Sequence, residues 1–385
     1  MKRREPTAYW SISAQTNKGL QMAATEAGMA PDDYIDTQLG EKYYKDRKEL
    51  EETLTNEIID VIRQFLDRRF QEGRRPALRD AHAQDTGCVR AVFRVDSDLD
   101  PRLRHGIFQA GQEYNAWIRF SNGNSEVLSS RWPDARGMAI KLMDVEGRKL
   151  LEDEKHTQDF TLANNPVFFV DDLQRYKETL VTFHSGGLLR QYLASFKLRG
   201  REILLAIKVN ATLTTNPLFC QYWSMTPYRL GVDADTKIAI KFTAKPRLPK
   251  RSSLLGRIAT FLAPGFSLKK QMEDILVGTE MWFDFYIQRY VDDRTPIEDS
   301  TVEWEESVSI PQHVAKIIIP SQELTSGERD RFCENLSFSP WHCLPQHKPL
   351  GAVNRVRRMV YLRISEHRHG LNRVPTAEPT GDESI

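Results

Sequence analysis

The segment 349–370, PLGAVNRVRRMVYLRISEHRHG, is the stretch from which the organisation of this chain can be inferred. Its apolar residues recur three or four positions apart, which is the period of an amphipathic helix with one buried face. They are Leu350, Val353, Val356, Val360 and Ile364. The spacing predicts a helix that packs one face against a core.

Two residues of this predicted helix, Arg357 and Tyr361, are four positions apart and therefore lie one turn apart on the same face. A guanidinium held beside a phenol stabilises negative charge on the phenol oxygen. Because a phenolate is a hard anionic ligand for ferric iron, the pair is a candidate iron site. An isolated pair of this kind is more often an ordinary cation–aromatic contact, so the rest of the chain has to decide between the two.

Composition and charge exclude several classes of protein. The chain has 385 residues, and its 54 Lys and Arg balance 53 Asp and Glu, so it has no field that would attract nucleic acid. Its four cysteines form no Cys-x-x-Cys pair, and neither a zinc site nor a disulfide framework is expected. The basic residues at the N-terminus precede no apolar segment. We therefore expect a soluble, cytoplasmic protein.

The sequence divides into three predicted regions. Residues 1–74 form an N-terminal arm, which is turn-rich at first and then helical from 41 to 71, where apolar residues recur among charged ones. Residues 75–370 form the main domain. Residues 371–385 form a polar C-terminal tail.

Short alternating or apolar runs bounded by Gly, Pro, Asp and Asn dominate the main domain, and they are typical of antiparallel strands. They lie at 88–97, 116–124, 137–145, 161–172, 236–246, 280–293 and 315–321. Helices are predicted between them at 171–199 and 253–277. The predicted fold is α+β: an antiparallel β-barrel of about eight strands surrounded by helices, with a helical N-terminal arm.

Five short motifs follow one another in the main domain. They are RDAHA at 79–83, RFS at 119–121, DARGMAIK at 134–141, NNPVFF at 164–169 and RRMVY at 357–361. In this order, over roughly 290 residues, they resemble the motifs of the haem catalases. The chain is short for a catalase. It is more similar to the small catalase-related branch, which includes bacterial haem peroxidases and the allene oxide synthases that rearrange fatty-acid hydroperoxides.

The resemblance implies haem b as the cofactor, with Tyr361 as the axial iron ligand and Arg357 as its charge partner. It implies that a neutral His82 lies on the opposite, distal face and moves a proton between the two oxygens of a peroxide. Ser121 would orient this imidazole, and the amide of Asn164 would hold the peroxide.

Haem also carries two propionates that need cationic partners. The resemblance assigns this role to Arg79, Arg119 and Arg368, and bidentate pairing with a carboxylate explains the use of arginine. Phe168 and Tyr176 match positions at which the family packs aromatic rings on the distal face. Tyr176 stands in place of a phenylalanine.

Two departures from the family pattern leave alternatives open. The residue before His82 is Ala81, where catalases have a valine and allene oxide synthases a threonine, so no hydroxyl is available there. The asparagine tract is one residue shorter before its proline, so either Asn164 or Asn165 could supply the distal amide. Asn164 is favoured because its spacing from Pro166 leaves its side chain next to the bend.

The function implied by the resemblance is that of a haem peroxidase, which cleaves the O–O bond of hydrogen peroxide or an organic hydroperoxide and is reduced by a small-molecule electron donor. The alternatives are a fatty-acid hydroperoxide isomerase or dehydrase similar to allene oxide synthase, and a haem-binding protein without turnover.

Two features bear on partners. Segment 245–270 has apolar residues between basic ends, a pattern that suits a membrane surface or a lipid substrate, and equally a helix packed on its own domain. Since catalases are commonly tetramers, a homo-oligomer is the open alternative to a monomer.

Overall fold

The computed structural model describes residues 35–184, 213–248, 259, 261–324, 326–381 and 383. The N-terminal arm up to residue 34, the end of the helix predicted at 171–199 and the start of the helix predicted at 253–277 lie outside the described residues. Among the helices that the structure describes, none is long and apolar enough to cross a membrane.

Antiparallel strands form one sheet that closes into a barrel. Their bounds are β1 Asp85–Val95, β2 Glu113–Asn122, β3 Arg136–Leu142, β4 Gln158–Ala163, β5 Tyr222–Trp223, β6 Tyr228–Leu230, β7 Ile238–Pro246, β8 Met281–Arg289 and β9 Gln312–Ile319. The order along the sheet is β5-β4-β3-β2-β1-β9-β8-β7-β6, and β5 also pairs with β7. Because β5 pairs with both β4 and β7, eight strands form a closed ring, and β6 pairs with the other half of β7. The predicted barrel of about eight strands is confirmed.

Side chains fill the interior of the barrel, because every second residue of each strand points inward. Four buried phenylalanines contact one another there: the ring centroids of Phe93 and Phe285 are 5.1 Å apart, and those of Phe160 and Phe242 are 4.9 Å apart. The residues that alternate with this core point outward. On β2, β3 and β4 these outward positions carry Arg119, Ser121, Gly137 and Thr161, so polar residues of the predicted motifs share the outer face of three neighbouring strands.

Five α-helices lie around the barrel within the described part of the chain. They are α1 Lys48–Gln71, α2 Leu173–His184, α3 Leu268–Leu276, α4 Gly327–Asn335 and α5 Ala352–Asn372. A second apolar cluster joins α1, α2 and α5, and α5 contributes Val356, Val360 and Ile364 to it. These three residues of the predicted stripe are therefore buried against neighbouring helices, whereas Leu350 precedes α5 and is buried in another cluster, with Ala239, Ile297 and Trp304.

A buried arginine ties the N-terminal region to α5. Arg355 donates from Nε to Glu51 Oε1 at 2.7 Å and from Nη1 to Glu41 Oε1 at 2.8 Å, and its Nη1 is 3.2 Å from Glu298 Oε1. Its side chain and those of Glu41 and Glu51 are almost wholly buried. These acids raise the pKa of Arg355 against the opposing effect of burial, so its charge is retained. The network fixes the face of α5 opposite to the barrel.

Two local predictions were wrong, and three short elements were not predicted. Helix α1 begins at Lys48 rather than at residue 41, because the chain before it turns back so that Tyr44 N donates to Glu51 Oε2 at 2.9 Å. The strand predicted at 161–172 ends at Ala163, because the asparagines and Pro166 that follow form a loop. Helix α4 and the short strands β5 and β6 were not predicted, since they have few residues and weak periodicity.

The polar C-terminal tail lies against the barrel where it is described. Glu378 accepts hydrogen bonds from the backbone N–H groups of Lys155 and His156 at 2.9 and 2.5 Å. Glu383 accepts one from Trp117 Nε1 at 3.1 Å. The tail therefore packs on the barrel domain through its carboxylates.

Candidate functional site

The Arg357 and Tyr361 side chains meet as their spacing on α5 predicts. Arg357 Nη2 donates to Tyr361 Oη at 3.0 Å, and the guanidinium carbon lies 5.1 Å from the centre of the phenol ring. Both side chains are half-buried. The phenol oxygen therefore has a permanent cation within hydrogen-bonding distance.

The other partners of Arg357 are neutral. Its Nη2 donates to Thr161 Oγ1 of β4 at 2.8 Å, and its Nη1 donates to Asn354 Oδ1 at 3.1 Å. Among the described residues, no carboxylate forms an ion pair with this guanidinium. Burial acts to lower the pKa of Arg357, but the nearby phenols, Tyr361 first among them, raise it above its ordinary value. Arg357 is therefore a half-buried cation whose hydrogen-bond partners include the phenol oxygen of Tyr361.

The segment 222–228, YWSMTPY, holds this arginine in place. Thr226 Oγ1 lies 3.0 Å from Asn354 Oδ1, and Pro227 O accepts from Asn354 Nδ2 at 2.9 Å and from the backbone of Leu350. Asn354 is wholly buried, so its amide has a single orientation. The segment thus fixes the start of α5 and, through Asn354, the rotamer of Arg357.

His82 lies over the outer face of the barrel. Its Nδ1 is 3.0 Å from Ser121 Oγ, and its backbone N–H donates to Gly123 O at 3.1 Å. A φ of 55° turns the chain at His82 so that the ring lies against β2 and β3. A Cβ atom added at Gly137 would be 2.6 Å from His82 Nδ1 and 2.7 Å from Ser121 Oγ, so the ring is seated where Gly137 has no side chain.

The positive charges around His82 act on its pKa together with burial. Burial is the main cause that lowers the pKa of His82, to about 4, and the positive charges of Arg119, Arg357 and Arg79 add to it. The imidazole is therefore neutral near pH 7 and able to accept a proton. Since Ser121 takes Nδ1, Nε2 is the nitrogen that can do so.

The two asparagines of the 164–169 motif have different surroundings. Asn164 Oδ1 accepts from the backbone N–H of Arg136 at 2.7 Å, which directs its NH₂ group away from the sheet. Asn165 is buried and donates from Nδ2 to Val167 O at 2.5 Å within its own loop. Asn164 also lies beside Gly137 and Ser121, because β4 pairs with β3 there. Of the two amides, that of Asn164 is the one free to donate to a substrate.

The three predicted propionate-binding arginines converge on one carboxylate, that of Glu334 in α4. Glu334 Oε1 accepts from Arg79 Nη1 at 3.0 Å and from Arg368 Nη1 at 3.2 Å, and Glu334 Oε2 is 3.7 Å from Arg119 Nη2. Arg119 Nη2 also donates to His82 O at 3.0 Å. The cluster therefore joins the backbone of His82, strand β2 and helices α4 and α5.

This cluster has an excess of positive charge. Three guanidinia share one carboxylate in ion pairs, and Arg119 Nε is buried without a hydrogen-bond partner among the described residues. Burial first, and then the charge of Arg79, lower the pKa of Arg368 to about 9. A ligand with carboxylates, such as haem with its two propionates, fits this donor set.

Three aromatic rings, those of Phe168, Phe169 and Tyr176, pack together in the loop and helix that follow β4. The ring centroids of Phe168 and Tyr176 are 5.6 Å apart in an edge-to-face arrangement, and that of Phe169 is 6.1 Å from Tyr176. Burial, and then the nearby Asp80 carboxyl, raise the pKa of the Tyr176 phenol, so it stays protonated. Burial also raises the pKa of Asp80 to about 6. The surroundings of Tyr176 thus combine aromatic rings with two acids whose pKa values are raised.

A second charged cluster, formed by Glu154, Asp159 and His342, has its potential ligand atoms within 4.8 Å of one another. A metal is not needed there, because the ammonium of Lys141 already lies between the acids and is 2.8 Å from Asp159 Oδ1. His342 Nε2 lies 3.0 Å from Asp153 Oδ1. The cluster is a buried salt-bridge network on the outer face of the barrel.

The basic residues of segment 245–270 that the structure describes are paired with acids. Lys245 bonds Glu306 at 2.7 Å, and Arg247 bonds Asp284. Leu262 is 69% exposed. Residues 249–258 and 260 lie outside the described residues, so contact with a membrane or lipid stays a prediction.

Sequence reasoning missed several residues of this site. Gly137 belongs to the DARGMAIK motif, yet its role depends on a close approach that only the folded chain produces. Glu334 lies in an unpredicted helix. Thr161 contacts Arg357 from β4, and Asn354 contacts it from one turn earlier on α5. Only Asn354 could have been found from the sequence, by its i,i+3 spacing from Arg357.

The closed barrel, the helices beside it and the site on its outer face define a protein with a catalase-like fold. A fungal catalase superposes with a TM-score of 0.64 at 17% sequence identity, covering 83% of this chain and 65% of the catalase. Catalase A from Saccharomyces cerevisiae has a TM-score of 0.59 at 17% identity, covering 83% and 67%. A bacterial catalase has a TM-score of 0.60 at 14% identity, covering 81% and 62%.

These coverages mean that the chain spans about two thirds of the length of the solved catalases. No family model and no curated protein matches the sequence. At such low identity the likeness shows the fold alone, and the activity has to be argued from the site residues.

Proposed function

We propose that this protein is a haem-dependent peroxidase that cleaves the O–O bond of hydrogen peroxide or an organic hydroperoxide. Haem b, when bound, supplies the ferric iron at which such a bond breaks. Tyr361 would provide the oxygen ligand to that iron, and Arg79, Arg119 and Arg368 would hold the propionates.

One observation carries the proposal: Arg357 donates to Tyr361 Oη at 3.0 Å, and its other side-chain partners are hydroxyl and amide oxygens. A half-buried guanidinium that has no carboxylate ion-pair partner among the described residues favours a negative charge on the phenol oxygen. An anionic oxygen ligand suits ferric iron and donates electron density to it.

The distal residues have the chemistry for general acid–base catalysis. His82 is neutral at pH 7, because burial and the neighbouring guanidinia depress its pKa. Its Nε2 takes the proton from one peroxide oxygen and returns it to the leaving oxygen. Ser121 holds the ring through Nδ1, and the NH₂ group of Asn164 donates to the peroxide.

The reducing substrate is a small molecule, because the proposed cycle needs electrons that this chain does not supply. Membership of the small catalase-related branch, and with it the choice between hydrogen peroxide and a lipid hydroperoxide, is part of the proposal. The order of the five motifs supports it, and so does the segment YWSMTPY at 222–228, which resembles the corresponding segment of that smaller branch.

The first experiment is an absorption spectrum of the protein produced with a haem supply, for the wild type, Tyr361→Phe and Tyr114→Phe. Tyr114 is the matched control, because its hydroxyl bonds Ile107 O at 3.1 Å, away from the site. We expect a ferric Soret band in the wild type and in Tyr114→Phe, and its loss or displacement in Tyr361→Phe. A wild type without a Soret band would refute the haem assignment.

The second experiment mixes each haem-loaded protein with hydrogen peroxide and, separately, with a polyunsaturated fatty-acid hydroperoxide. His82→Ala should keep the ferric spectrum and react with peroxide about 10²-fold or more slowly, whereas His367→Ala, a control on α5, should react normally. An unchanged rate in His82→Ala would disprove its distal role. Rapid loss of the lipid hydroperoxide without an electron donor would instead indicate an isomerase. If neither peroxide reacts, the protein binds haem without turnover.

A further inference from the structure

Glu334 occupies a position that the proposed function does not explain. It is in the last turn of α4, and its carboxylate is the point at which Arg79, Arg119 and Arg368 meet. These arginines come from the loop before β1, from β2 and from α5, so without Glu334 they share no acidic ion-pair partner among the described residues.

The backbone of α4 supports the same arrangement. Arg368 Nη1 donates to Glu334 O at 2.8 Å, and Arg79 Nη2 donates to Leu336 O at 2.7 Å, so two guanidinia cap the carboxyl end of this helix. These carbonyl contacts keep the arginines near their positions even if the Glu334 side chain is changed. The charge of Glu334 can therefore be altered separately from the framework.

Among the described residues, the charges that form ion pairs in this cluster do not balance. Three guanidinia face one carboxylate in ion pairs, so two positive charges remain for a ligand. Asp85 also acts on Arg119, but it forms no ion pair with it, and burial raises the pKa of its carboxyl. A ligand with two carboxylates would balance these two remaining positive charges.

We propose that Glu334 is a built-in counter-ion that holds the three arginines together and weakens the attraction between them and the two haem propionates. This inference rests on the proposed function. It makes Glu334 a determinant of cofactor affinity, because its carboxylate lies among the guanidinia that the propionates would contact and repels them.

The variant that tests this role is Glu334→Gln, which keeps an oxygen acceptor for Arg79 and Arg368 and removes only the charge. Glu328→Gln is the matched control, because Glu328 is an exposed acid in the first turn of the same helix. Each full-length, haem-free protein is titrated with haem and with haem dimethyl ester, whose propionates carry no charge, and binding is followed at the Soret band.

We expect Glu334→Gln to bind haem roughly tenfold more tightly than the wild type, and the dimethyl ester about equally tightly. The cluster becomes more positively charged in this variant, so we also expect the midpoint potential of the bound iron to become more positive. Glu328→Gln should change neither property. Equal or weaker binding of haem by Glu334→Gln, or the same gain for the ester, would overturn the inference.

These outcomes separate the inference from the proposed function. If the wild type binds neither porphyrin, the haem assignment itself fails. If the wild type binds haem and the affinity of Glu334→Gln is unchanged, only the role of Glu334 fails. A general folding defect in the variant would weaken binding of haem and of its ester alike, which also contradicts the expected selective gain.

Discussion

Replacing Gly137 by alanine is the most direct test of how the barrel positions His82. The added Cβ would lie 2.6 Å from His82 Nδ1, 2.7 Å from His82 Cε1 and 2.7 Å from Ser121 Oγ. Ordinary contacts begin near 3.4 Å, so the imidazole has to move by about 0.8 Å or leave its position over β3. Such a shift also breaks the 3.0 Å contact between His82 Nδ1 and Ser121 Oγ.

A displacement of about 1 Å in a catalytic group commonly costs on the order of 10²-fold in rate. We therefore expect Gly137→Ala to react with hydrogen peroxide about 10²-fold more slowly than the wild type, as measured by stopped-flow absorbance of the haem-loaded protein. Its ferric spectrum should persist, because the three atoms nearest to the added Cβ belong to His82 and Ser121 and not to Tyr361, the proposed iron ligand. The extra methyl group should lower the free energy of unfolding by about 1–3 kcal/mol.

Gly278→Ala is the matched control, because no heavy atom lies within 4 Å of the added Cβ there. Its peroxide reaction should match that of the wild type. A rate constant of Gly137→Ala within about twofold of the wild-type value, with the variant folded and haem-loaded, would refute the role assigned to the His82 position.

Two further predictions concern buried charges. Arg355→Met should lower the free energy of unfolding by about 3–5 kcal/mol in chemical denaturation, because it leaves the buried carboxylates of Glu41 and Glu51 without their main cation. Burial opposes the charge of His342, but its bonds to Asp153 and Asp159 outweigh burial and raise the pKa of His342 to about 9. The stabilisation from this raised pKa is fully present below the unfolded value of about 6.5 and is lost as the pH rises through 9. The difference in free energy of unfolding between the wild type and His342→Gln should therefore shrink by up to about 3 kcal/mol between those pH values.

Each of these has a control and a contrary outcome. Arg363→Met removes a more exposed arginine of α5 that pairs with Glu366 at 3.0 Å, and it should cost less than about 1 kcal/mol. A loss of the same small size in Arg355→Met would show that its network is solvated. For His342, a wild-type advantage over His342→Gln that stays constant from pH 6.5 to 9.5 would show that the imidazole is not charged in the folded protein.

The sequence by itself determined the local features of this protein. The period of segment 349–370 predicted α5 and placed Arg357 and Tyr361 on one face, because a helix brings residues four apart together without help from the rest of the chain. Alternating runs predicted most of the barrel strands, since the two faces of a strand meet different environments. The motifs at 79–83, 119–121 and 164–169 named His82, Ser121 and Asn164 by resemblance.

Only the tertiary structure decided which residues meet across these elements. The position of the His82 ring over Gly137 depends on the register of β2, β3 and β4. Hydrogen bonds between the strands set this register, and no local sequence pattern encodes it. The meeting of three arginines at Glu334 depends on α4, a helix too short and too weakly periodic to be read from sequence. Distances between residues far apart in the chain follow from packing the whole core, and so the charge balance of the site became visible only in the folded molecule.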